Sequence, residues 1–168
     1  MVKRATKSLT KRAAKSASLN KSPTVKQLVK PARSYVLDDQ IGFILRQVWQ
    51  RHTMIFARDI GNNLTPTQWA AMSKLVETGP CSQNQLGRLT AMDVATIKGV
   101  IDRLTARGLT ETSRDPQDGR RLLVRLTRAG RQLADNTAPH AHAVSKETLA
   151  PLDASEREAL LTLLNKLR

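Results

Sequence analysis

Three helix-start signals stand in quick succession in the middle of this chain, and they constrain its folding more than any other feature. Thr65-Pro66-Thr67-Gln68 places a hydroxyl at the N-cap, proline at the first helical position and glutamine three residues after the cap. A helix begun there carries Trp69, Met72, Leu75 and Val76 along its length and stops at Gly79-Pro80. Ser82-Gln83-Asn84-Gln85 repeats the capping box and predicts a short helix ending near Thr90. Asp93 caps a third, "VATIKGVIDRLTARG", which Gly108 terminates.

The period then changes. Leu109-Thr110-Glu111-Thr112 alternates like a strand. So does Arg121 to Leu126, with Leu122, Val124 and Leu126 on one side and Arg121, Leu123 and Arg125 on the other. Asp115-Pro116-Gln117-Asp118-Gly119 between them has turn chemistry, so the two segments form a hairpin. Arg114, Arg120, Arg121 and Arg125 crowd it, and Asp115 and Asp118 are expected to pin the loop by pairing with nearby arginines.

Further helices flank this block. Ile41, Ile44, Leu45, Val48, Ile55 and Phe56 predict a helix over residues 38–60, ended by Gly61-Asn62-Asn63. Thr127 caps another from Arg128 to about Leu149, with Pro139 expected to kink it. Asp153-Ala154-Ser155-Glu156 opens a last helix that runs to the C-terminus. The fold class is therefore mainly α with a small β-hairpin. The expected division is a basic tail at 1–34, a winged helix-turn-helix at 63–127, and a helical dimerisation region formed by 35–62 with 128–168.

Charge points to the partner. Residues 1–34 hold ten Lys/Arg and no acid, residues 35–85 sum to zero, residues 86–131 hold ten basic and five acidic residues, and residues 132–168 come to −1. Positive charge concentrated on a tail and on the hairpin segment suits a polyanion, with nucleic acid ahead of membrane. The tail lacks a core-forming apolar set and is expected to be disordered when free, with a DNA-contacting arm, an organellar transit peptide and a solvated tail all open as its role. The longest apolar runs are far short of a membrane span. A single cysteine, Cys81, excludes an internal disulfide and fits the cytoplasm.

The third helix of the block is the candidate reader of DNA. Ile97, Val100, Ile101 and Leu104 make an inward stripe, opposite Ala95, Gly99, Asp102 and Ala106. Those small residues let the helix axis approach the floor of a major groove, while Thr96 and Arg103 on one edge and Lys98 on the other reach bases or phosphates. Ser82 and Gln83, at the start of the short helix, complete that face. Arg114, Arg120 and Arg121 belong to the wing, with Arg120 expected at its tip, where it can enter the adjoining minor groove. A solvated basic surface is the plainer reading of the same charges.

The stretch "GLTETSRDPQDGRRLLVRLTRAG" resembles the wing signature of the MarR family of bacterial transcription regulators, and "LTPTQWAAM" with "CSQNQLGRLTAMDVATIKGVIDRLTARGL" matches that family's order. The resemblance covers residues 37–168. Gly119 stands where the family more often has a basic residue. Within the family, "LDDQIGFILRQVWQRH" is most similar to the repressors of nicotinic-acid degradation. The resemblance implies a homodimer on a pseudo-palindromic double-stranded operator, with half-sites about one helical turn apart. It also implies a small aromatic carboxylate as effector, 6-hydroxynicotinate if the narrower resemblance holds.

Arg46 and His52 stand at the six-residue spacing that family members controlling aromatic-acid catabolism use for such a ligand, with Trp49 between them and Trp69 as an opposite wall. A guanidinium takes a carboxylate bidentately, an imidazole bonds a ring substituent, and indole supplies an aromatic face. Six residues turn a helix by about 240°, so the two side chains converge only over the intervening face. Arg51 is an alternative anchor. Arg46 could instead pair with Asp38, Asp39 or a partner carboxylate, and His52 could be a hydrogen-bonded core residue. Cys81 offers a thiol-sensing alternative, and a ligand-independent architectural DNA-binding protein is a second. His140 and His142 point to different sides of a helix and lack matching ligands, so no metal site is expected. No cofactor is expected, and no Walker loop, G-x-G-x-x-G, H-E-x-x-H, G-x-S-x-G or paired-carboxylate constellation suggests an enzyme.

Overall fold

Each capping signal becomes a helix start in the computed structural model, which describes residues 35–61 and 64–167. A 3-10 turn at Leu37–Asp39 leads into α1 (Ile41–Ile60). There follow α2 (Pro66–Thr78), α3 (Gln83–Leu89) and α4 (Val94–Ala106). The hairpin is β1 (Thr110–Arg114) and β2 (Leu122–Leu126), and α5 (Arg128–Thr148) and α6 (Ala154–Asn165) close the chain. The expectations for the tail at 1–34 lie outside the described residues.

Local chemistry sets these boundaries. Thr65 accepts from the Gln68 N–H while the Gln68 side chain accepts from the Thr65 N–H, a complete capping box, and Asp153 with Glu156 makes another. At Ser82 the box is only half formed. Its hydroxyl caps the Gln85 N–H, but Gln85 Oε1 turns to the Arg121 guanidinium, 3.5 Å away, instead of reaching back. Gly61, Gly79 and Gly108 take φ values of 68°, 74° and 68°, a conformation that lets the chain leave a helix without Cβ strain. The 38–60 expectation divides in two, because Gln40 is extended and separates the 3-10 turn from α1. The first strand begins one residue late, at Thr110, and extends to Arg114. α5 passes through Pro139 as one helix.

The core gathers one stripe from each element. Ile55, Phe56 and Ile60 come from α1, Ala71, Met72 and Leu75 from α2, and Leu86 from α3. Ile97, Val100, Ile101 and Leu104 of α4 are all nearly or wholly removed from solvent, as the inward stripe requires. Val124 of β2 and Ala134 and Val144 of α5 close it. β1 and β2 pair antiparallel with Thr112 opposite Val124. Cys81 forms an additional antiparallel bridge to Val124, with N–H to carbonyl bonds in both directions of 3.2 and 2.8 Å. The middle of β2 is thereby stitched to the α2–α3 link.

α5 enters against the end of the α4–β1 turn. The Thr127 N–H donates to the Leu109 carbonyl, its hydroxyl donates to the Gly108 carbonyl at 2.7 Å, and the same oxygen caps the Gly130 N–H at 3.0 Å. Gly130 is buried there because a Cβ on it would stand 1.9 Å from the Leu109 carbonyl oxygen.

Among the described residues nothing covers two apolar faces. On α1, Ile41, Ile44, Leu45, Val48 and Met54 are 40–67% exposed, and on α6 and after it Leu161, Leu163, Leu164 and Leu167 are 37–74% exposed. None of the α6 residues is buried. Among the described residues no helix is long and apolar enough to cross a membrane.

Candidate DNA-binding face and effector cavity

α4 presents a solvent face of small side chains. Ala95, Asp102 and Ala106 are exposed and Gly99 is half-buried under the Arg103 guanidinium, whose Nη1 lies 3.4 Å from where a Cβ would stand. Thr96 and Lys98 are exposed but engaged. The Thr96 hydroxyl donates to Asp93 Oδ2 at 2.7 Å, and Lys98 Nζ pairs with Asp102 Oδ2 at 2.6 Å. Asp93 also caps the Thr96 N–H, and these hydrogen bonds hold its carboxyl below the usual range. Ser82 spends its hydroxyl on the α3 cap, and Gln83 is half-buried beside it.

The loop acids work differently from the sequence expectation. Asp115 Oδ1 accepts from the Gln117 N–H at 2.9 Å and Asp118 Oδ1 from the Arg120 N–H at 3.1 Å. Among the described residues neither pairs with an arginine; a short carboxylate two residues from an orphan N–H closes a local turn more readily than a long guanidinium can be immobilised. Arg114 Nη1 donates to the Gly119 carbonyl at 3.2 Å, which ties the loop's two sides together. Arg125 pairs instead with Glu111 at 3.1 Å, its cross-strand neighbour. Arg120, exposed beside Gly119, makes no side-chain hydrogen bond or ion pair among the described residues.

A cavity of about 210 Å³ opens where α1, α2 and α5 meet. His52 and Phe56 come from α1, Trp69 from α2, and Ala138, Ala141, His142, Val144 and Ser145 from α5. His52 is fixed by a hydrogen bond between Nδ1 and the Thr148 hydroxyl, 2.9 Å, and partial burial pushes its pKa down, favouring the neutral ring. Trp49 stacks on it, with ring centroids 5.6 Å apart at 27°, but itself lies along an open groove with Gln50, Thr53 and Met54. Of the four expected ligand residues the cavity therefore holds His52 and Trp69, with Trp49 behind His52. Arg46 is exposed and outside the lining, as the angle between positions 46 and 52 foreshadows. His142 and Ser145 were missed. Ala138, His142 and Ser145 recur at i, i+4 and i+7, a periodicity that places them on one face of α5.

Cys81 is 3% exposed, and burial pushes its thiol pKa up against the opposing effects of Thr78 and Arg121. A redox-sensing thiol needs the reverse shift and an open approach. Among the described residues no group of His, Cys, Asp and Glu could hold a metal ion.

Comparison with known proteins identifies relatives of the same fold. The profile of the MarR family matches residues 64–122. The HTH-type transcriptional repressor NicR of Pseudomonas putida is 41% identical over 79% of this chain and 85% of its own. A crystal structure of a probable transcriptional regulator from Pseudomonas aeruginosa is 59% identical over 79% of this chain and 100% of that one, with a TM-score of 0.77. The structure of Bordetella bronchiseptica BpsR, whose DNA binding is regulated by 6-hydroxynicotinic acid, is 40% identical over 79% of this chain and 96% of that one, at a TM-score of 0.75.

Proposed function

The chain belongs to the MarR family of transcription regulators, and from that premise we propose that it is a homodimeric repressor released from its operator by a small aromatic carboxylate. Residues 63–127 are the DNA-binding winged helix-turn-helix, and 35–62 with 128–168 form the dimerisation region. Apolar surface left open on α1 and α6 supports the second assignment, because a twofold partner covers both faces at once. Ser82, Gln83, Thr96, Lys98, Arg103, Arg114, Arg120 and Arg121 meet the operator, Arg120 from the wing tip.

One observation carries the effector reading. The cavity stands where α1 and α5, the helices leading to the uncovered faces, meet α2 of the winged segment. A ligand wedged there changes the distance between paired reading helices and favours a state unfit for the operator, by as much as its affinity for the two states differs. An aromatic wall of Trp69 and Phe56, with the His52 and His142 imidazoles and the Ser145 hydroxyl on the same lining, suits a planar ring acid. The regulation of BpsR by 6-hydroxynicotinic acid supports a hydroxylated pyridine carboxylate such as 6-hydroxynicotinate as the leading choice, with control of its catabolism as the role. Arg46 joins the site as carboxylate anchor by swinging over the Trp49–His52 stack.

Full-length protein should select a twofold-related sequence from random duplexes and release it on addition of 6-hydroxynicotinate. Arg46→Ala and His52→Ala should bind the same DNA yet ignore the compound. Sequence-independent binding that no aromatic acid relieves would establish the architectural reading instead.

A further inference from the structure

Val94 is the most exposed large apolar side chain of the segment 64–127, at 68%, and it is the first residue of α4. The apolar faces of α1 and α6 do not account for it, since it begins the helix that presents Thr96 and Lys98. Nor does the core, which takes its α4 residues from Ile97, Val100, Ile101 and Leu104.

Its neighbours define what it can touch. The Asp93 carboxylate is occupied on both oxygens, Oδ1 by the Thr96 N–H and Oδ2 by the Thr96 hydroxyl. The leading end of α4 therefore offers a base pair two apolar side chains, Val94 and Ala95, beside a carboxylate whose oxygens each already accept a hydrogen bond. Beside Val94 a shallow groove runs between α3 and α4, floored by Gly87, Met92 and Ile97 and edged by Asn84 and Arg88. In a major groove only thymine displays a methyl group, and apolar side chains are its partners. First-turn residues of a recognition helix are the ones that reach base edges.

We propose that Val94 is a specificity-determining residue that selects thymine at one fixed position of each half-site by packing on its C5 methyl. The inference rests on the DNA-binding reading above. Removal of one buried methyl corresponds to about fourfold in affinity, and two half-sites together to about fifteenfold.

The test uses full-length protein and the duplex it selects from a random pool. Each symmetry-related pair of thymines is replaced by deoxyuridine, which deletes the methyl alone. Wild type should lose about fifteenfold at one pair, and Val94→Ala, whose exposed site leaves folding intact, should lose nothing further there. A consensus sequence bound equally well by both proteins, with the same loss at every deoxyuridine pair, would overturn the role of Val94 while leaving the regulator intact. Failure to select any consensus would overturn both.

Discussion

Gly130→Ala separates two effects that oppose each other. Helix propensity alone favours alanine over glycine in a helix by about 1 kcal/mol. Here the added Cβ would stand 1.9 Å from the Leu109 carbonyl oxygen and 2.9 Å from its carbon. Backbone lies on both sides, so relief means moving α5 and the α4–β1 turn apart by roughly 1.5 Å to reach ordinary contact. That movement pulls on the Thr127 N–H bond to Leu109 and the Thr127 hydroxyl bond to Gly108. Each contributes about 1 kcal/mol, and disturbance of the Thr127 cap on Gly130 costs about another. After subtraction of the propensity gain, the expected loss is about 2 kcal/mol. Urea unfolding followed by far-UV circular dichroism, at one fixed protein concentration, should show a lower midpoint with an unchanged slope. A midpoint equal to or above wild type would refute the reasoning, since it would mean the close approach yields freely.

Gly99→Ala should behave in the opposite sense. Its Cβ meets only the movable Arg103 guanidinium, so thermal unfolding should show a gain of about 0.5–1 kcal/mol. Operator affinity in a gel-shift titration should nevertheless fall roughly tenfold, because the helix axis stands further from the groove floor. Arg120→Ala should leave the dimer intact by gel filtration while lowering the salt slope of DNA binding by about 1 per protomer. The hydrogen bonds on Asp93 and Asp153 depress their folded pKa values, so their contribution is present above the ordinary carboxylate pKa, about 3.9, and is lost as pH falls through the folded values. Asp93→Asn with Asp153→Asn, which keep an acceptor, should flatten the acid limb of the stability curve measured by urea titration.

Features written in local chemistry were legible in the sequence. N-caps at Thr65, Ser82, Asp93, Thr127 and Asp153 all form, because each needs only a side-chain oxygen and an N–H three residues on. The buried stripe of α4 was equally plain, since 3.6-residue periodicity separates Ile97, Val100, Ile101 and Leu104 from Gly99. Competition between partners was not legible. Gln85 chooses Arg121 over its own cap, and Asp115 and Asp118 choose backbone over arginine. The lining of the cavity between α1, α2 and α5 was legible only in part. His52 is marked by its spacing to Arg46 and Trp69 by its place on the next helix, whereas the H-x-H pairing with His140 hides the periodicity that sets His142 on one face of α5 with Ala138 and Ser145.

The bridge between Cys81 and Val124 gives the hairpin the mechanics of a cantilever. Its clamped end is held on two edges, by Thr112 and by Cys81, and shares the buried core. Its far end is a loop closed by short polar bonds, with Arg120 exposed and without a side-chain partner among the described residues. Deflection under load therefore gathers at the far end. In the DNA complex proposed above, a duplex whose minor groove is a little wider or narrower would be followed by bending that end alone, without disturbing the alignment of α4, so that tolerance of groove width and fidelity of base reading would reside in different parts of one domain.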